Sequence, residues 1–174
     1  TLIFKPLKYC AFLRGVNVNG TSMKMAEVSK VFAEAGMNNV STILATGNVL
    51  FSSDLMSSEL KSILEKALSE YFNYDAFLFL KTEKEIIEII QKNPFQKSED
   101  SHIYVFVGRE NIENILLEEF KKSAVSENEN GKIVGGIFYW QIQKGQTIDS
   151  SFGKILGKKA LKEHLTSRNI NTIE

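Results

Sequence analysis

The chain predicts an α+β fold made of two tandem ferredoxin-like halves with antiparallel sheets, and three observations point there. Short apolar runs of strand length alternate with longer segments whose apolar residues recur every three or four positions. Up to residue 81 the order of these segments is β-α-β-β-α-β, the split βαβ arrangement that lays helices on one face of an antiparallel sheet. From residue 98 the same order starts again but lacks an evident last strand, so the second half is expected to be incomplete. The expected organisation is a first half over 1–81, a helical connector over 82–97, and a second half over 98–174 whose C-terminal tail returns toward the first.

Each element has a local reason. Residues 9–16 are short, apolar and aromatic and close at Gly15, as a buried strand does. A helix over 23–36 carries Met25, Val28, Val31, Phe32 and Ala35 as one stripe, and Gly36 suits its C-terminal stop. Residues 40–45 and 49–53 read as a hairpin around Thr46-Gly47-Asn48, where Gly and Asn tolerate positive φ. The helix over 57–72 puts Leu60, Ile63, Leu64, Ala67, Leu68, Tyr71 and Phe72 on one face, with Asp54 or Ser57 as its cap. A strand at 75–80 completes the first half, and an isoleucine-rich helix at 82–92 runs to the Asn93-Pro94 boundary. The second half opens with a strand at 102–108 and an amphipathic helix at 110–123 through Ile112, Ile115, Leu116 and Phe120. A polar turn at 128–131, paired strands at 132–135 and 136–142, and a helix at 152–164 follow.

Composition narrows the function classes. Lys plus Arg and Asp plus Glu number 21 each, so no global charge argues for nucleic acid or an anionic membrane, and any basic footprint is local. The single cysteine, Cys10, lies in an apolar strand and reads as core; neither a disulfide nor a Cys-based zinc site can form within the chain. No apolar run approaches bilayer length, and the expected location is the cytoplasm. His102 and His164 lack the partner spacing of a zinc site or a catalytic triad, and no acidic pair stands out as general acid and base, so the catalytic residues are unassigned and no metal or cofactor is expected.

Polar chemistry concentrates between Tyr9 and Asp54. The first strand ends in Leu13-Arg14-Gly15-Val16-Asn17-Val18-Asn19-Gly20 and leads to a helix start with Thr21, Ser22 and Lys24. Exposed N–H groups at such a junction, with cations beside them, suit a phosphate or carboxylate, although turn and capping chemistry explains the same residue types. Asn48 in the Thr46-Gly47-Asn48 turn has the same two readings. From Phe152 to Arg168 five basic residues (Lys154, Lys158, Lys159, Lys162, Arg168) face one acid, Glu163, which is either a solvated helix face or a phosphate contact. Phe138, Tyr139 and Trp140 alternate faces and read as core packing in preference to a base-stacking surface.

The run LRGVNVNG at 13–20, KMAEV at 24–28 and ATGNVLFSS at 45–53 resembles the pattern LRGxNVxG, KMxEL and SGNVxF of the bacterial proteins grouped as domain of unknown function 1697 (DUF1697). The likeness continues through Asn93-Pro94-Phe95 and into Thr166-Ser167-Arg168-Asn169-Ile170-Asn171-Thr172, similar to the family's terminal TxRNWxT. Ile170 stands where that pattern has tryptophan, and the loop from Asn17 to Lys24 is about one residue short of it. The resemblance implies ferredoxin-like halves, no established reaction, and signature residues at Arg14, Asn17, Gly20, Lys24, Met25, Gly47, Asn48, Arg168, Asn169 and Thr172.

Together these readings predict a protein that binds a small anionic or nucleotide-like ligand in a polar cleft between the halves. Arg14, Lys24 and Arg168 would supply charge, and Asn17, Asn48 and Asn169 directional hydrogen bonds. The alternatives are a nucleic-acid-binding module that uses the basic C-terminal helix, an enzyme acting on a phosphorylated metabolite, and an interaction protein that pairs through an exposed edge strand.

Overall fold

Period-two alternation along β1 (Leu7–Arg14) sends Tyr9, Ala11 and Leu13 to one face of a sheet and Cys10, Phe12 and Arg14 to the other. In the computed structural model β1 lies between two antiparallel neighbours, β5 (Asn48–Ser53) and β6 (Phe77–Thr82), with β4 (Asn38–Ile43) outside β5. The structure describes residues 6–14, 17–18, 21–22, 24–43, 47–123, 129–145, 150–156 and 165–173, and for 17, 18, 21 and 22 the backbone only. The chain divides into two compact units, Thr1–Glu85 and Ile86–Glu174.

In the first unit the core lies on the Tyr9 face, beneath α1 (Met25–Glu34) and α2 (Ser57–Phe72). Val28, Val31 and Phe32 of α1 and Leu60, Leu64 and Leu68 of α2 are buried there, each contributing about 1.5–3 kcal/mol through the apolar surface withdrawn from water. Gly36 ends α1 as its sequence position suggests: at φ +96° it lets its N–H reach Ala33 O and the Met37 N–H reach Phe32 O, with Met37 and Phe32 packed in the same core. The start of α2 departs from expectation, because Met56 occupies the N-cap position without a side-chain bond and neither Asp54 nor Ser57 caps the helix. Between β1 and α1 a short hairpin, β2 (Asn17–Val18) and β3 (Thr21–Ser22), breaks up what reads in sequence as plain loop.

Thr82 and Glu85 close a reciprocal capping box, Thr82 N–H to Glu85 Oε1 at 3.0 Å and Glu85 N–H to Thr82 Oγ1 at 3.2 Å, and so start α3 (Glu83–Gln91). The second unit contains β7 (Ser101–Gly108), α4 (Ile112–Lys122), β8 (Asn130–Val134), β9 (Ile137–Gln143), α5 (Ser151–Leu156), β10 (Leu165–Asn169) and α6 (Ile170–Ile173). Its sheet order, β10-β7-β9-β8, repeats the first unit's β6-β1-β5-β4.

This corrects the expectation of an incomplete second half, since the stretch read as a tail is the missing last strand, antiparallel to β7 from Leu165↔Gly108 to Asn169↔Tyr104. Its composition hid it: LTSRN has one large apolar residue, which is enough for an edge strand with a single neighbour. Gly135 and Gly136, both at positive φ, form the two-residue turn between β8 and β9.

Phe106, Phe138, Trp140 and Phe152 pack with α4 on one face of this sheet, as the core reading of the aromatic run requires. Ile103, Val105 and Tyr139 on the other face are covered by Ile89 and Ile170. The expected helix over 152–164 is formed at Ser151–Leu156; Lys158, Lys159, Lys162 and His164 lie outside the described residues, as do Gly15, Gly20 and Thr46. Among the described residues no helix is long and apolar enough to cross a membrane.

Candidate functional site

Strand register decides which of the expected site residues can act together. Phe12 stands opposite Asn48 on β5 and opposite Phe79 on β6, so all three point to the sheet face away from α1 and α2. Arg14, two residues further along β1, points the same way and stands opposite Phe77, the first residue of β6. Arg14, Asn48 and Phe77 therefore meet at one end of one sheet face. Since α1 returns antiparallel to β1, its N-cap residue Lys24 lies at the same end of the unit.

Arg14 is partly buried, and desolvation lowers its guanidinium pKa from the ordinary value. Among the described residues no carboxylate, carbonyl or ring partners it. Only two ion pairs form among those residues, Lys61–Glu65 and Lys81–Glu85, and neither involves Arg14. Lys24 is exposed, and its carbonyl accepts the N–H groups of Glu27 and Val28 at 3.0 and 3.1 Å. A cation at a helix N-terminus opposes the helix dipole, where an acidic or hydroxyl side chain would stabilise.

Asn48 is buried and its amide donates to Ile43 O at 3.3 Å, tying the hairpin across Gly47, which sits at φ +83°. The turn reading of Asn48 is thus met, and its place beside Arg14 comes in addition. Asn17 belongs to β2, but its side chain lies outside the described residues.

Arg168 and Asn169 sit in the second unit and are engaged there. The Arg168 guanidinium, 9% exposed, donates to Thr166 Oγ1 at 2.5 Å and to Ser167 O at 2.8 Å, so it braces its own strand. The Asn169 amide donates to His102 Nδ1 at 2.9 Å while its oxygen accepts the Asn171 N–H at 3.0 Å, joining β7 to the first turn of α6. That geometry makes Nδ1 the acceptor and puts the neutral ring's proton on Nε2. Among the described residues no three His, Cys, Asp or Glu side chains gather as a metal site would require.

Phe77 is the residue that motif reading passed over. The signal was present in the run at 77–80, where alternation sends Leu78 and Leu80 into the core and leaves Phe77 and Phe79 on the Arg14 face.

Comparison with known proteins agrees with this fold. The family model described as "Protein of unknown function (DUF1697)" matches residues 7–139. No curated protein matches the chain in sequence. Among solved structures, the conserved bacterial protein SP0830 from Streptococcus pneumoniae is similar, with a TM-score of 0.79 at 17% identity over 97% of this chain and 96% of that one. At that identity the likeness speaks for the fold alone.

Proposed function

The chain belongs to the DUF1697 family of proteins of unknown function, and from that premise we propose that it binds a small anionic ligand at the Arg14 end of its first sheet. The observation that carries this reading is the Arg14 guanidinium, withdrawn from water at the end of a central strand without an acidic partner among the described residues. Partial burial of an unpaired cation costs free energy, and a phosphate or carboxylate that makes charge-assisted, two-pronged hydrogen bonds to it recovers that cost. Lys24 adds a second cation at the positive end of α1, and Asn48 lies diagonally across from Arg14 on the same face. Asn17 follows Arg14 by three residues and is the remaining polar candidate. Arg168 and Asn169 serve the second unit's own sheet in this reading.

Calorimetric titration of the full chain with inorganic pyrophosphate and with inorganic phosphate tests the proposal. A hydrogen bond to a charged group contributes about 1.5–3 kcal/mol, so Arg14→Ala should weaken binding by roughly tenfold to a hundredfold. Lys24→Ala should weaken it less and flatten its salt dependence. Without ligand, Arg14→Ala should unfold no earlier than the parent, because it removes a partly buried charge that has no acidic partner among the described residues. Equal affinities of parent and Arg14→Ala would remove the reading.

A further inference from the structure

We infer that the anion taken at Arg14 carries a flat aromatic ring and that Phe77 is the surface on which this ring stacks, which makes nucleoside monophosphates the ligand class. The inference rests on the anion-binding reading above and adds to it.

Three observations point to the ring. Phe77 is the direct cross-strand partner of Arg14, and side chains so paired on one face have Cβ atoms about 4.5–5.5 Å apart. Of the three phenylalanines on that face among the described residues, Phe12 and Phe79 are 2% and 9% exposed, whereas Phe77 is 38% exposed. β6 is the edge strand of its sheet, so among the described residues no further strand flanks Phe77 on its outer side.

A lone exposed phenylalanine is ordinary on a protein surface. What sets this one apart is its partner, a partly buried guanidinium with no acid paired to it among the described residues. Among the described residues Phe77 pairs with no other ring, and the cation–π contact of this sheet goes instead from Lys61 to Phe79.

A cation and an apolar ring side by side match the two ends of a mononucleotide, where a dianionic phosphate and a planar base are held apart by one sugar. Arg14 takes the phosphate as a two-pronged donor. Phe77 takes the base through its π-face, which every base has, so the site discriminates nucleotide from sugar phosphate more strongly than one base from another.

The experiment compares adenosine 5′-monophosphate with ribose 5-phosphate, which keeps phosphate and sugar and lacks the ring. Titrated into the full chain, the nucleotide should bind about tenfold to a hundredfold tighter, the range that one stacked base contributes. Phe77→Ala should erase that difference while leaving ribose 5-phosphate unchanged, and Phe77→Trp should keep or enlarge it. Arg14→Ala should weaken both ligands together. Equal binding of the two ligands by the parent, or a ratio that survives Phe77→Ala, overturns the ring assignment and leaves anion binding standing. Failure of the parent to bind either ligand overturns both. Phe77 is exposed, so its variants should keep the parent's thermal unfolding, which is measured alongside.

Discussion

Replacing Gly131 by alanine tests how closely the second sheet is packed. Gly131 lies in β8 opposite Trp140, not in the polar turn its neighbours suggest. A Cβ built there would sit 2.8 and 2.9 Å from two ring carbons of Phe120 and 2.9 Å from Cζ of Phe138. Carbon atoms prefer about 3.5–4.0 Å, so something must move. Neither ring has an easy retreat, since Phe120 packs edge-on to Phe152 at 5.3 Å and Phe138 lies 5.7 Å from Phe152 and 5.6 Å from Phe106. Overfilling such a core costs about 1–3 kcal/mol. Gly131 has no positive φ, so alanine recovers about 0.5–1 kcal/mol by restricting the unfolded chain. The balance is a destabilisation of about 0.5–2 kcal/mol.

Trp140, the only tryptophan, is 1% exposed in this same core, so its fluorescence during urea unfolding reports on the second unit. With a urea dependence of about 2 kcal/mol per molar, the midpoint should fall by roughly 0.3–1 M. Phe120→Leu shortens the offending ring, and combining it with Gly131→Ala should cost less than the sum of the two by at least about 0.5 kcal/mol. An unchanged or raised midpoint for Gly131→Ala, or strict additivity with Phe120→Leu, would refute the packing argument.

Two tyrosines with enclosed hydroxyls should respond oppositely to their loss. Tyr139 Oη donates to Ile89 O at 2.7 Å, so Tyr139→Phe should cost about 0.5–1.5 kcal/mol in the same urea experiment, whereas Tyr74 Oη, in the first unit, is enclosed without a hydrogen-bond partner among the described residues, and Tyr74→Phe should be neutral or stabilising when urea unfolding is followed by far-ultraviolet circular dichroism. Burial pushes both phenols up to about 12, with Glu65 adding to the effect at Tyr74. A raised folded pKa means that the neutral form's stabilisation is complete below pH 10 and is lost as the pH climbs through 12; thermal unfolding should therefore fall steeply across that window, and less steeply in the double phenylalanine variant. Lys61 donates to Leu78 O on the open side of β6 at 2.5 Å and pairs with Glu65 at 2.8 Å. Lys61→Met should cost under about 1 kcal/mol yet promote concentration-dependent association through the uncapped strand edge; sedimentation profiles as monodisperse as the parent's would count against it.

The helices were readable because each carries a continuous stripe: the spacing of Leu60, Leu64 and Leu68 is enough to place α2. Edge strands were less readable, because an element paired on one side needs few apolar residues. β10 passed for a tail, and β4, exposed along most of its length and irregular between Asn38 and Ser41, begins two residues before its apolar signal. Motif reading singles out Arg14 and Asn48 as candidates but not their relation, which depends on a strand register invisible to local patterns. Nor does residue type reveal that Thr166 and Ser167 engage the Arg168 side chain within its own strand.

The two sheets share an order and differ in what they do with the face opposite their packed helices. In the second unit Ile103, Val105 and Val107 line that face along β7, and Ile89 and Ile170 pack on it with Tyr139. The corresponding row along β1 is Lys8, Cys10, Phe12 and Arg14, beside Asn48 and Ser52 of β5. Apolar β-branched side chains suit a face whose only task is to be covered, whereas a row ending in an arginine beside an asparagine exacts a desolvation cost that packing does not return. Val107 stands opposite Thr166 at the end of β7, and Arg14 stands opposite Phe77 at the end of β1. The cation and exposed ring at that position are a feature of the first sheet's sequence, not of the shared fold. Ligand binding should accordingly depend on Arg14 and be indifferent to conservative changes at Val107, such as Val107→Ile, whose effect should appear in stability alone.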